Sequence, residues 1–173
     1  MDTMEVMIRK AEARDVPEML ALVKELALFE KEPEAVTVSE EHMREAGFGP
    51  RPVWWGWVAE VPAGSEQLAG GSESPIIVGM TVCYERYSTW RGRCLYLEDI
   101  IVTQHARGQR IGEKLFKACA AFAVEQGHHH MLWQVLDWNT EAMRFYERLG
   151  ATFEPQWVNG RMTRSDIQKL VNG

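Results

Sequence analysis

The sequence predicts an α/β (α+β) domain in which a mixed, mostly antiparallel sheet is flanked by helices. Three observations carry this. Apolar residues recur at helical spacing in some segments and in short strand-like runs in others. The middle of the chain has such runs on both sides of a stretch rich in Gly, Ser, Glu and Ala, which signals a hairpin. Later a strand, a glycine turn, a helix and another strand follow one another, the order of a β-α-β crossover with parallel strands.

Met7 to Arg9 reads as the first strand. Arg14-Asp15 offers a cap, and Val16, Met19, Leu20, Leu22, Val23, Leu26 and Leu28 follow at helical spacing. Lys31 to Thr37 is a loop around Pro33, and Ser39-Glu40-Glu41-His42 starts a second helix that should stop near Gly47. Gly47 to Pro52 connects it to a Trp-rich strand, Val53 to Val61. Pro62 to Pro75 is the hairpin loop. Strands are expected at Ile76 to Tyr84 and Leu95 to Thr103, a helix from about Gln109 to Gln126, and a strand at Met131 to Leu136. A helix from Thr140 to Leu149 ends at Gly150, and a short strand pair and a turn of helix from Ser165 complete the chain. Six to seven strands are expected in all.

The 173 residues suit a single domain, 1–173, able to bury a full core. Hydrophobic residues make up 46% and charged residues 25%, an ordinary globular composition. No apolar run approaches the ~20 residues of a membrane span, and Met1-Asp2-Thr3-Met4-Glu5 lacks the basic start and apolar stretch of a signal peptide. The expectation is a cytoplasmic protein with no membrane partner. A net charge of -6 argues against a nucleic-acid partner, whose backbone is bound through clustered Lys and Arg. Cys83, Cys94 and Cys119 have no C-x-x-C spacing, and Cys119 reads as core. His128-His129-His130 reads as a solvated loop, because three adjacent side chains diverge; no metal is expected.

The chemistry-bearing stretch is Leu95-Tyr96-Leu97-Glu98-Asp99-Ile100-Ile101-Val102, followed by Arg107-Gly108-Gln109-Arg110-Ile111-Gly112. A strand ends in a glycine turn that opens a long helix. The first turn of a helix has unpaired N–H groups and the positive end of the dipole, which suit a pyrophosphate. Arg107 and Arg110 add charge. The spacing is neither a P-loop, since three residues separate Gly108 from Gly112, nor the dinucleotide fingerprint.

This stretch resembles the GNAT superfamily of acyl-CoA N-acyltransferases, whose signature R/Q-x-x-G-x-G/A matches Arg107 through Gly112, with Arg110 where the pattern has its first Gly. Asn139 followed by Tyr146 matches the family's second signal, an Asn near the end of the fifth strand and a helix carrying Tyr. The resemblance implies the GNAT fold, splayed between the fourth and fifth strands, with acetyl-CoA as co-substrate. Its cofactor residues would be Ile100, Ile101, Val102, Arg107, Gly108, Gln109, Arg110, Ile111, Gly112 and Glu113, with Asn139, Ala142 and Tyr146.

Within that superfamily the chain is similar to the diamine (spermidine/spermine) N-acetyltransferases and their thialysine-acetylating relatives. Ile8-Arg9, Lys24-Glu25-Leu26-Ala27, Phe29-Glu30, Gly47-Phe48-Gly49, Trp90 and Tyr96-Leu97-Glu98-Asp99 carry this likeness. It implies a primary amine of a small molecule as acceptor, bound by Phe29, Glu30, Trp90, Glu98 and Asp99. An alkyl ammonium has a pKa of about 10.4 and must lose a proton before it can attack a thioester. Glu98 is the expected base, directly or through water, and Tyr146 the acid that protonates the leaving thiolate. Alternation along a strand would let only one of Glu98 and Asp99 face the thioester.

Two departures bear on the substrate. Tyr87-Ser88-Thr89-Trp90 stands where the polyamine enzymes tend to have Tyr-Asp-Pro-Trp, and Glu154-Pro155-Gln156-Trp157 where they have Glu-Glu-Gly-Trp. A short diamine or a lysine-like amino acid therefore fits as well as a long polycation. A non-catalytic acyl-CoA sensor and a protein N-terminal acetyltransferase are the rival readings. The resembled family is homodimeric, so a homodimer is expected. Trp54, Trp55 and Trp57 are read as core or as its interface, with Trp55 and Trp57 on one face of their strand and Trp54 on the other.

Overall fold

A computed structural model describes residues 5–64 and 73–172. The chain divides into two units, residues 1–134 and 135–173. The first unit runs β1 (Met7–Lys10), α1 (Val16–Phe29), α2 (Glu40–Phe48), β2 (Trp55–Val61), β3 (Ile76–Ser88), β4 (Gly92–Val102), α3 (Ile111–Glu125) and β5 (His130–Leu132). The second contains α4 (Thr140–Arg148) and α5 (Arg164–Asn172).

The five strands form one sheet in the order β1-β2-β3-β4-β5. Neighbours are antiparallel except β4 and β5, which are parallel, as a crossover through α3 requires. Each face of the sheet has its own core. On one side Trp57, Ala59, Leu95 and Leu97 pack with Ile111, Leu115, Cys119 and Phe122 of α3. On the other Val58, Met80, Val82 and Ile101 pack with Val16, Met19, Leu20 and Leu22 of α1 and Met43 of α2. The tryptophans follow the expected alternation. Trp57 joins the α3 side, Trp54 the α1 side, and Trp55 touches Phe122 at 5.5 Å between ring centroids.

Several expectations are corrected. The described residues form five strands where six to seven were expected. Residues 149–163, expected to include a strand pair, form no strand. β5 covers three residues instead of the expected Met131 to Leu136, whereas β3 and β4 extend further, to Ser88 and from Gly92. Of the expected hairpin loop, residues 65–72 lie outside the described part.

α2 ends at Phe48, near Gly47 as expected, with Gly49 at its C-cap. Gly47 also serves close packing, since a Cβ there would collide with the Trp54 ring. The histidine run is solvated only in part: His129 is exposed as expected, but His128 is not. The His128 side chain is 1% exposed and its Nε2 lies 3.1 Å from Glu85 Oε2, which also accepts from Arg93.

Asp15, read as a helix cap, caps no helix end of α1 with its side chain. Instead it receives two bonds from Arg9, at 2.7 and 2.9 Å, and one from the Glu12 N–H at 2.7 Å. Arg9 also donates to Glu60 on β2 through Nε at 3.0 Å. One guanidinium thus ties β1, the entry to α1 and β2 together. Burial pushes the Asp15 carboxyl up, but the bonds from Arg9 and Glu12 outweigh it and hold the group below its ordinary range. Removing one partner of such a pair leaves the others buried without compensation. Arg9→Met is therefore expected to cost about 3–5 kcal/mol of stability at pH 7, measured by urea denaturation. The depressed carboxylate contributes only while ionised, so the deficit should shrink as pH falls through the folded pKa of Asp15. A loss under about 1 kcal/mol at pH 7 would show that the cluster is dispensable.

Candidate active site

β4 carries the expected site residues, and one irregularity decides where they face. Val82 pairs with Asp99 and Cys83 with Leu97, so Glu98 is an extra residue opposite none, a β-bulge. The bulge shifts the phase of the strand. Leu95 and Leu97 face the α3 side before it, and Ile100 and Val102 face that same side after it. Asp99 therefore falls in phase with Ile101, on the α1 side.

Glu98 is directed to that side as well. The hydroxyl of Tyr84, which packs against the α1-side core, and the Asp99 carboxyl are both raised by burial and then by the charge of Glu98. The expectation that only one of the two carboxylates could face a common site is thus overturned, because a bulge suspends strict alternation.

Glu30 completes an acidic group. It caps the C-terminal end of α1, and its carboxyl is raised by burial. Asp99 is half-buried, and its pKa rises from 3.8 to about 6 through burial first, then through the charges of Glu98 and Glu30. Burial also raises the Tyr84 and Tyr96 hydroxyls, with Glu98 adding to both. The rings of these tyrosines lie 5.1 Å apart beside the carboxylates. Such a site attracts a cation and offers it carboxylates of unequal basicity.

The strand edge beside these residues is open. Pairing of β4 with β5 covers only Cys94 to Tyr96, while β4 runs on to Val102. Residues 97–102, including the expected Ile100, Ile101 and Val102, have no strand partner on that side among the described residues. Their alternate N–H and C=O groups are placed to pair with an extended amide-bearing chain.

Beyond Val102 a 3-10 turn, Gln104–Ala106, leads to Arg107 and the start of α3. Gly108 has φ +81° and Arg110 φ +60°. The family pattern's glycine at position 110 answers this left-handed conformation, which an arginine adopts here at a cost of roughly 1 kcal/mol. No side chain caps α3, and its first helical bond is Lys114 N to Arg110 O at 3.1 Å. The N–H groups of Ile111, Gly112 and Glu113 thus lack helical acceptors and suit an anion. The two arginines differ. Arg110 is paired with Glu113, which also binds Lys117. Arg107 donates through Nε to Val102 O at 3.0 Å and lies over the Phe29 ring at 5.8 Å.

In the second unit Asn139 caps α4, its Oδ1 accepting from Ala142 N at 3.2 Å. Tyr146 is buried on the same helix, and Gly150, at φ +93°, ends it as expected. Trp90 is not gathered with the carboxylates. It stands 82% exposed at the tip of the β3–β4 hairpin, about 20 Å along the strand from Glu98. Among the described residues no three His, Cys, Asp or Glu group to hold a metal, and no helix is long and apolar enough to cross a membrane. Reading the sequence missed Tyr84. Its alternation with Val82 on β3 was the available signal, and its pairing opposite Tyr96 needed the register.

The chain is similar to known proteins in both sequence and fold. A family model described as acetyltransferase (GNAT) family matches residues 32–151. The chain is 43% identical over 146 residues to a thialysine N-epsilon-acetyltransferase of Bos taurus, covering 84% of each chain. It is 42% identical over 170 residues to the protein of that name in Sus scrofa, covering 96% of this chain and 97% of the other. Its fold is similar to that of an aminoglycoside N-acetyltransferase solved with CoA, with a TM-score of 0.69 at 15% identity, covering 94% of this chain and 97% of that one.

The raised pKa of Asp99 makes a thermodynamic prediction. Its native state keeps a proton that the unfolded chain releases, so stability is given up as pH rises from about 4 to about 6. Asp99→Asn is neutral throughout. It is expected to be more stable than the parent by roughly 1–3 kcal/mol at pH 8, with the difference vanishing below pH 4. Equal melting temperatures at pH 8 would remove Asp99 from the strained group.

Proposed function

Because the chain belongs to the acetyltransferase (GNAT) family and is an acetyltransferase, we propose that it acetylates the side-chain amine of a lysine-like amino acid or a short diamine. One observation carries this reading: the bulge at Glu98 turns Glu98 and Asp99 to the α1 side of β4, where Asp99 senses the charges of both Glu98 and Glu30. Near-full-length similarity to thialysine acetyltransferases supports a lysine-like acceptor. Ser88, in place of an acid, supports a short one over a long polycation. A diamine or polyamine acceptor is the second reading.

Acetyl-CoA supplies the activated acetyl thioester. The turn fits its pyrophosphate, since the first N–H groups of α3 lack helical acceptors and Arg107 stands beside them. In this proposal Ile100, Ile101 and Val102 offer backbone groups to the pantetheine amides, Arg107 to Glu113 hold the phosphates, and Asn139 and Ala142 complete the donor site. Glu30 and Asp99 draw the ammonium in, with Phe29 along its approach. Glu98 takes the proton, directly or through water, and frees the nitrogen lone pair for attack. Tyr146 returns a proton to the departing sulfur. The Tyr84 hydroxyl, close enough to feel the charge of Glu98, orients that carboxylate.

A homodimer is also proposed. Trp157, Val158, Leu170 and Val171 of the second unit are 67–92% exposed, apolar surface that a second copy would cover. A single chain acting as one cytoplasmic domain is the remaining part of this reading.

The test is release of free CoA with thialysine, lysine, putrescine, spermidine, an aminoglycoside and a peptide amine. Turnover highest with thialysine or a short diamine is expected. Turnover with the peptide alone would make the chain a protein acetyltransferase, and none with any amine would favour an acyl-CoA sensor. Tyr146→Phe should slow turnover by ~10²–10⁴-fold with acetyl-CoA affinity little changed. Glu98→Gln should lower kcat and flatten the rising limb of the pH profile. A larger kcat loss in Asp99→Asn would transfer the base to Asp99.

A further inference from the structure

The turn that would take the pyrophosphate is thinly supported. Ala106 anchors it in the core, and Thr103 N donates to Val78 O at 2.9 Å. On the α1 side it borders open space. A cleft of about 260 Å³ lies between the middle of α1 and the start of β3, and Thr103 and His105 form part of its wall. Past this cleft, α1 reaches the turn with two side chains. Glu25 Oε1 accepts from the backbone N–H of Gln104 at 3.1 Å. Phe29 presents its ring to the Arg107 guanidinium at 5.8 Å. The two are four residues apart and share one face of α1.

These contacts act on different parts of the turn. Glu25 fixes the backbone where the 3-10 turn begins. Phe29 fixes the plane of a guanidinium whose Nε is already held by Val102 O. The terminal amino groups of Arg107 have no hydrogen-bond acceptor among the described residues, while Arg110 is committed to Glu113. Arg107 is thus the arginine whose charge remains available to an anion. Its position depends on an aromatic ring from another element.

We propose that Glu25 and Phe29 are positioning residues for acetyl-CoA: from one face of α1 they hold the turn between β4 and α3 in its anion-binding form. The inference rests on the acetyltransferase reading above. It gives Phe29 a role toward the acetyl donor, whereas the family resemblance places it toward the amine. It also ties the two substrates together, because Glu30, next in sequence, belongs to the acidic group around Asp99. Ordering α1 at the donor turn therefore orders one wall of the acceptor site.

The test measures acetyl-CoA binding by calorimetry with no amine present. Phe29→Leu removes the π face at similar bulk, and Glu25→Ala removes the acceptor. Each is expected to weaken binding by roughly two- to fivefold, and the double variant by about tenfold. Phe29→Tyr and Glu25→Gln keep the ring and the acceptor oxygen and should bind as the parent does. In turnover assays the KM for acetyl-CoA should rise more in Glu25→Ala than the KM for the amine. A double variant within a factor of two of the parent would overturn the inference alone. Equal weakening by the conservative pair would assign both residues a purely structural role and overturn it too. A parent chain that fails to bind acetyl-CoA would overturn the acetyltransferase reading itself.

Discussion

One extra residue in β4 governs the site. The sheet must keep apolar side chains on α3 along the whole of β4, and it must also turn acidic groups toward α1. A regular strand could do both only by alternating, with Glu98 and Asp99 on opposite faces. The bulge resolves the conflict. Leu95 and Leu97 before it and Ile100 and Val102 after it meet the same core. Both carboxylates stay on the other side, close enough that Asp99 registers the charge of Glu98. The cost is a half-buried acid carried above its normal pKa, the kind of local strain that accompanies reactive sites.

The early end of β5 works with the bulge. Once its three residues are paired, the rest of β4 has a row of backbone groups with no strand partner on that side among the described residues. At the far end of that row the chain turns through Gly108 and Arg110 into an uncapped helix. Backbone groups along the strand edge are followed by N–H groups without helical acceptors and by Arg107 at the turn, all from one continuous stretch, Glu98 to Glu113, while α1 brings Glu30 to the acidic group.

Much of this was legible in the sequence, and the exceptions have physical causes. Helices α1 to α4 were readable because apolar spacing, Ser39, Asn139 and Gly150 mark them independently. The glycine turn was readable because its geometry demands particular residues, and even the departure at Arg110 keeps the left-handed backbone. The bulge was not, because register is a property of two strands and neither sequence alone encodes the offset. The packing role of Gly47 against Trp54 was not legible either, because a tertiary contact leaves no local trace. The histidine run was misjudged for the same reason: His128 is buried by Glu85 and Arg93, more than thirty residues away. The strand pair expected after Gly150 drew on β-prone residues such as Trp157 and Val158, which lie exposed and outside any strand.

The brevity of β5 has a bearing on how the molecule assembles. β3 and β4 are joined by three residues and zip together over ten pairs, a local event on the microsecond scale. The parallel seam between β4 and β5 must wait for all of α3 to form and swing back, and it is then rewarded with only three pairs. The last strand is thus joined late and held lightly. Amide exchange at His130 to Leu132 would report that seam opening well before the hairpin beside it. An edge so lightly held comes away without disturbing the ten-pair hairpin behind it.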